Sequence, residues 1–310
     1  MLKRVQLVLL CVLIVLSAAG CSPAVPNSPT EGYVYTDAAG EEVMLPMCPD
    51  TTAVLFSSFA DIWMTAGGQV DITVAESVER GFAAENAILV DGGAGKSIDL
   101  EALLSAKPDL VIGSADIPAQ QEAVQICRDA GIPAVALQVE DFAQYLEVLQ
   151  LFCVLTDQPE HYDTYGMQLQ TRIEKLREDY ADVAADKTFL FIRAGSSAKF
   201  TKAKLAKDHF ACAMIEEFGT YNIAEKAPVL LDGLSFEEIL VQDPDMIFVS
   251  TMGDEQAATE YMDSVLAQPA WQSLTAVKQG NVYYLPKAMF QYKPNADWEQ
   301  AYLYLLDLLR

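Results

Sequence analysis

Asp99-Leu-Glu-Ala-Leu-Leu-Ser-Ala-Lys-Pro-Asp-Leu-Val-Ile-Gly-Ser114 and Ser235-Phe-Glu-Glu-Ile-Leu-Val-Gln-Asp-Pro-Asp-Met-Ile-Phe-Val-Ser250 are one pattern written twice, 136 residues apart. Each copy reads as a short helix, a Pro-Asp turn and a buried strand, residues 110–112 in the first and 246–249 in the second. The same offset sets Asp50-Thr-Thr-Ala-Val-Leu-Phe56 beside Asp186-Lys-Thr-Phe-Leu-Phe-Ile192, both apolar strand runs. One offset held across both segments predicts two lobes of like topology.

Within the first lobe, strand runs at residues 54–56, 110–112 and 134–137 alternate with helical stretches, the pattern of parallel strands with crossover helices. Gly131-Ile132-Pro133 stops a helix and starts the last of these strands. Between the copies, Tyr162, Tyr165, Leu169, Ile173, Leu176, Tyr180 and Val183 recur every three or four residues, one face of a helix with Pro159 in its first turn. Such a helix of about 25 residues rises about 37 Å, enough to run along both lobes and limit hinge closure. Trp298, Ala301, Tyr302, Leu305 and Leu309 mark a terminal amphipathic helix. The expected fold is α/β, with two similar lobes of mainly parallel sheet joined by a single long α-helix. Its expected divisions are 34–156, 157–185 for the connector, and 186–310.

The 310 residues are 52% hydrophobic, too apolar for an acidic disordered chain. Lys and Arg number 20 against 44 Asp and Glu, a formal charge of −24. Nucleic acid is excluded as a partner, because a phosphate backbone is bound through a basic footprint that this balance does not supply.

Lys3 and Arg4, then an apolar run over residues 5–16 broken only by Gln6, then small residues to Gly20, read as a signal peptide at 1–20. Twelve residues fall short of the roughly 20 that span a bilayer as a helix. Leu16-Ser-Ala-Ala-Gly-Cys21 resembles a bacterial lipobox, whose cysteine is lipidated, although Ala18 stands where Leu is more usual. Ser22-Pro-Ala-Val-Pro-Asn-Ser-Pro29 has nothing to bury and suits a tether over 21–33. Loss of residues 1–20 removes two cations and no acids, so the mature charge is −26. Cys48, Cys127, Cys153 and Cys212 lack metal spacing and read as buried free thiols.

A lipobox, a Pro/Ser tether, two like α/β lobes and a helical connector together resemble the substrate-binding lipoproteins that serve iron-siderophore, haem and vitamin B12 ABC importers. Tyr35-Thr-Asp-Ala-Ala-Gly-Glu-Glu-Val-Met-Leu-Pro46 is similar to the opening hairpin of that family, with its turn at Ala39-Gly40. Leu55-Phe-Ser-Ser-Phe-Ala-Asp-Ile62 is similar to its first strand and helix entry, and Leu100-Glu101 through Lys107-Pro-Asp-Leu-Val111 to its most recognisable segment. The resemblance runs over residues 34–310. It implies a lipid-anchored monomer on the extracytoplasmic face of the cell membrane, working with a permease and an ATPase, and not an enzyme. It also implies that Glu101 and Glu237, which match within the repeat, dock on basic residues of the permease. The cargo it implies is a metal chelate, a ferric siderophore first and haem or a corrinoid second. Iron or cobalt then belongs to the cargo, and no resident cofactor or metal site is expected.

Ligands of open α/β sheets bind beyond the carboxyl ends of the strands, which sets Ser57, Ser58 and Phe59 on one wall and Arg193 on the other. In lobe one, Gly67 closes the helix that follows; the similar Phe218-Gly219 comes 152 residues later rather than 136, so about sixteen residues are inserted after Arg193. Five of the 18 mature Lys and Arg fall within residues 193–207, among them Arg193, Lys199, Lys202 and Lys204. Clustered cations attract anions even on an acidic protein, and Arg193 suits bidentate oxygen ligands. Tyr292 and Lys293, ahead of the terminal helix, add an aromatic wall and a further cation. Met64, His209, Met289 and Tyr292 are the side chains that could serve haem. No nucleophile elbow, P-loop or dinucleotide fingerprint is present. Asp91-Gly-Gly-Ala-Gly-Lys-Ser97 lacks P-loop spacing and reads as a mobile cleft loop. A lipid-anchored adhesin or sensor with this fold is the remaining alternative, separable by genomic adjacency to permease and ATPase genes.

Overall fold

The aspartate of each Pro-Asp turn folds back on the strand beside it. Asp109 Oδ2 accepts the Thr51 N–H at 2.9 Å, and Asp245 Oδ2 accepts the Thr188 N–H at 2.8 Å. The residue before each proline, Lys107 and Asp243, takes a positive φ, 51° and 42°, as a helix end running into proline must leave the right-handed region. The repeat is thus a repeat of backbone geometry as well as of sequence.

The computed structural model describes residues 32–91 and 97–310. The signal peptide, Cys21, most of the tether and residues 92–96 of the Gly-rich loop lie outside the described residues. The strands are β1 (Tyr33–Thr36), β2 (Glu42–Leu45), β3 (Thr52–Val54), β4 (Ile72–Thr73), β5 (Ile88–Leu89), β6 (Leu110–Ser114), β7 (Ala134–Leu137), β8 (Thr188–Ala194), β9 (Lys202–Ala203), β10 (Tyr221–Asn222), β11 (Met246–Thr251) and β12 (Val282–Tyr284). The N-terminal sheet runs β5-β4-β3-β6-β7 and the C-terminal one β10-β8-β11-β12, each with parallel neighbours. The order β4-β3-β6-β7 recurs as β10-β8-β11-β12, so the two lobes share one topology. Strands β3, β6, β7 and β11 are buried at every residue, as expected of parallel sheets covered on both faces.

The register corrects one expectation. Thr52 lies opposite Leu110, and Phe189 opposite Met246. The β6 to β11 match keeps the offset of 136, but β3 to β8 is 137, so Asp50–Phe56 belongs one residue later than Asp186–Ile192. A one-residue slip turns every side chain to the other face. Val54 shares the central core with Phe191, whereas Leu190 faces the outer core of the second lobe. Arg193 therefore occupies the place of Phe56.

The β1–β2 hairpin is pinned to β7 through Asp37. Its carboxylate accepts the N–H groups of Ala39, Glu41 and Ala136 at 2.9, 3.0 and 3.1 Å and pairs with Arg128. Burial pushes the Asp37 carboxyl up, but the Arg128 and backbone hydrogen bonds outweigh it and hold it below the usual carboxylate range.

The connector is one rod in three parts: an α-turn Pro159–Tyr162, a π-helical segment Asp163–Met167 and an α-helix Gln168–Tyr180. The π segment inserts a residue into the turn and shifts the phase of what precedes it. Leu169 and Ile173 are buried as expected, but Tyr165 is exposed, and Val183 is exposed beyond the helix end. The terminal helix Trp298–Leu309 buries the five side chains named from its spacing. One hydrophobic core crosses between the lobes, joining Trp63 and Phe152 to Phe191, Phe210, Phe248 and Trp298. Burial of such side chains, about 2–3 kcal/mol each, resists wide opening of the lobes. Cys127, Cys153 and Cys212 are buried free thiols, while Cys48 is exposed.

Candidate functional site

The insertion after β8 measures fifteen residues once the register is corrected, since Gly67 and Gly219 end equivalent helices at φ of 87° and 85°. It folds as a 3-10 turn Ala198–Phe200, strand β9 and a second 3-10 turn Ala206–Asp208. β9 returns antiparallel to β8, with Arg193 directly opposite Lys202, and the Lys204 N–H donates to the Phe191 carbonyl at 3.0 Å. Two-residue alternation puts Arg193, Lys202 and Lys204 on one face. Like charges set opposite one another are unfavourable. Burial, then the neighbouring Arg193, lowers the Lys204 ammonium from the usual lysine range.

None of these three cations belongs to an ion pair among the described residues. Arg193 donates instead to the Met252 thioether at 2.6 Å, a weak acceptor. Beyond the carboxyl ends of β8 and β11 lies a chamber of about 310 Å³ walled by Arg193, Asp208, His209, Thr251, Met252, Gln291 and Lys293, with Glu140 on its rim. Thr251 Oγ1 and Gln291 Oε1 are buried there without a protein partner. His209 stacks between Phe191 and Phe210 at centroid distances of 4.6 and 5.1 Å. Burial, then Lys293, Arg193 and Lys204, push its imidazole down to about 3, so it stands neutral in this chamber. An adjoining chamber of about 600 Å³ shares Met252 and Gln291 and adds Glu76, Phe200, Lys287 and Tyr292.

The lobe-one wall differs from the expected one. Ser57, Ser58 and Phe59 are 0%, 3% and 1% exposed and line neither chamber. Phe59 packs in the core edge-on to Phe56 at 5.2 Å, and the Ser58 carbonyl is taken by Asn295 Nδ2 at 3.0 Å. Ser57 donates to Glu76 at 2.5 Å and accepts from Arg80 at 2.9 Å. The first turn of the helix Ser57–Thr65 faces inward, with the Ser57 hydroxyl held by Glu76 of the helix Ala75–Glu79 and Phe59 in the core. Glu76 lines the adjoining chamber in their place, and Arg80 packs behind it against Tyr292. The Arg80 guanidinium sits 3.9 Å from the Tyr292 ring centroid and 4.7 Å from that of Phe82, and the Tyr292 hydroxyl donates to Glu76 at 3.3 Å. Sequence reasoning missed this pair; its i, i+4 spacing reads as an ordinary solvated helix pair.

Tyr292 and Lys293 do reach the space between the lobes, but both are engaged across it. Lys293 Nζ lies 2.8 Å from Glu140 Oε2 and 4.9 Å from the Phe210 centroid. Lys199 is exposed beside Phe200, and Lys199, Lys202 and Lys204 all stand off the linings of both chambers, because the fold-back of β9 sets the lysines beside Arg193 rather than beyond it. Glu101 and Glu237 are both exposed in the first turns of the equivalent helices Leu100–Ser105 and Phe236–Gln242. Among the described residues no group of three or more His, Cys, Asp and Glu could hold a metal ion.

The profile of the periplasmic binding protein family matches residues 53–289. The chain belongs to that family. A vitamin B12-binding protein of Pectobacterium carotovorum is 24% identical over 195 residues, 63% of this periplasmic binding protein and 69% of the relative. The petrobactin-binding protein YclQ of Bacillus subtilis superposes with a TM-score of 0.73 at 19% identity, over 90% of this chain and 99% of that one. An ABC transporter substrate-binding protein of Listeria monocytogenes gives 0.65 at 16%, over 83% and 97%. These likenesses carry the two-lobed fold, and the side chains of the cleft are this chain's own.

Proposed function

We propose that this periplasmic binding protein captures an anionic iron complex, a ferric siderophore, between its lobes and delivers it to an ABC permease and ATPase. Family membership supports the solute-binding role, and the cleft supports the sign of the ligand. The observation that carries the reading is Arg193, which walls the chamber at the end of β8 outside any ion pair among the described residues, with Lys202 opposite it on β9 and Lys204 on the same face. In a chain of formal charge −24, this cluster of cations draws anions locally, with Asp208 and Glu140 on the chamber wall offsetting part of its charge. Chelate oxygens would accept from Arg193 and the two lysines, and the Thr251 hydroxyl offers a further donor. Iron arrives with the cargo, and the protein supplies no resident cofactor and no chemistry.

In this reading Cys21 carries the lipid anchor, the body works as a monomer at the extracytoplasmic face, and Glu101 and Glu237 dock one lobe each. Closure is small because the aromatic core spans both lobes. The test is a fluorescence-quenching screen of ferric siderophores, haem, cobalamin and small anions. Saturable binding of an anionic ferric chelate is expected, weakened about 100-fold by Arg193→Ala with Lys202→Ala and Lys204→Ala. Undiminished affinity in that variant, or binding of haem or cobalamin alone, overturns the assignment.

A further inference from the structure

A second cavity of about 470 Å³ lies outside the cleft, where the helices Gln168–Tyr180 and Trp298–Leu309 and residues 206–217 meet the start of the helix Phe142–Leu155. Phe142, Phe210, Trp298 and Tyr302 line it. The first two stand edge-on to Trp298, with centroids at 5.8 and 5.3 Å. Volume and aromatic lining are those of a small-molecule pocket. Trp298 is 1% exposed, and its indole N–H has no hydrogen-bond partner, although buried donors in folded proteins are nearly always paired.

Charge at the rim favours a cation. Glu140, Asp141, Glu174 and Glu217 face Arg177 and Lys207. Arg177 is paired with Glu217 at 3.0 Å, and Glu140 with Lys293 at 2.8 Å. Asp141 and Glu174 have no ion partner among the described residues. Ring faces beside carboxylates attract ammonium groups. Glu140, His209 and Phe210 line both this cavity and the chamber at the strand ends, so one wall separates an acidic aromatic pocket from a polar one of mixed charge.

We propose that the flank cavity is a second ligand site, which takes a small organic ammonium with an apolar body and a hydroxyl oxygen that accepts from the Trp298 indole N–H. The chain has three tryptophans, so the indole region of the full chain labelled with 15N holds three N–H signals, and Trp298→Phe assigns the Trp298 signal by its loss. Benzyldimethyl(2-hydroxyethyl)ammonium, whose hydroxyl oxygen can accept from the indole, is expected to shift that signal saturably. The Trp63 signal, whose N–H is bonded to the Gln69 carbonyl at 2.8 Å, stays in place. Benzyl alcohol and benzenesulfonate, as neutral and anionic probes, are expected to bind at least about fivefold more weakly. Asp141→Asn with Glu174→Gln leaves the helix-capping oxygen at 141 and is expected to weaken the ammonium about fivefold. A Trp298 signal unmoved by any probe overturns the site. Equal binding of the three probes, or undiminished ammonium binding in the double variant, overturns the ligand class.

Discussion

Lys293 Nζ reaches Glu140 Oε2 at 2.8 Å across the mouth of the cleft, tying the loop before the terminal helix to the end of the first lobe's sheet. The Glu140 side chain is 52% exposed, so the pair adds under about 1 kcal/mol to stability. Its greater effect is on the cleft, where Glu140 offsets one of the cations. Glu140→Gln should leave the unfolding midpoint within about 2 °C and raise affinity for an anionic chelate about threefold at low salt, an advantage that fades as salt is added. Titration at two ionic strengths checks both. Weaker binding in the variant would show that Glu140 itself holds the ligand.

His209 and Asp37 set a pH dependence of stability with a definite sign. Both have folded pKa values below the unfolded ones, His209 at about 3 through burial against about 6.5 unfolded, and Asp37 through hydrogen bonds that outweigh its burial. The unfolded chain then binds more protons, so stability is fully present above the unfolded values and falls as pH drops through the folded ones. The His209 contribution should decline from about pH 6.5 downward, and the Asp37 contribution only below about pH 4. Urea midpoints from pH 8 to pH 4 should fall in the native chain and fall less in His209→Gln. Parallel curves would rule out His209 as the source.

Gly68 sits where a Cβ would come within 2.2 Å of Trp63 Cε2. Trp63 cannot yield, being 1% exposed, bonded to the Gln69 carbonyl and edge-on to Phe152 at 5.1 Å. Gly68→Ala should therefore cost about 3 kcal/mol, read from denaturant unfolding. A loss under about 0.5 kcal/mol, the range of an ordinary surface substitution, would show that the indole repacks.

Glu101 and Glu237 are exposed at matching turns of the two lobes, as a two-fold partner requires. Glu101→Lys with Glu237→Lys should abolish uptake by cells while ligand affinity in vitro changes less than about twofold, since rim charges far from a ligand contribute little beyond a Debye length. Uptake that survives the double reversal would remove these residues from the docking surface.

Much of the architecture was legible because it rests on local patterns. The Pro-Asp turns, the helix faces and the alternation of strands and helices are written in short windows, and duplication made them legible twice. The cleft was harder. The position of Arg193 at a strand end could be read, but not that β9 folds back to set Lys202 opposite it. Ser57, Ser58 and Phe59 look available in a strand-to-helix entry, yet the helix turns them inward. Arg80 and Glu76 gave no cleft signal, because what brings them to Tyr292 is packing between lobes.

The sequence alone determined two like α/β lobes, a helical connector and a cluster of cations in an acidic chain, because periodicity, turn chemistry and charge are properties of neighbours along the backbone. Tertiary structure alone decided the register of β8, which a single residue of slip reverses, and the side chains that face the cleft. It also decided which cations stay unpaired. Those outcomes depend on contacts between residues far apart in the chain, such as Lys293 with Glu140 and Asn295 with Ser58, which no local pattern encodes.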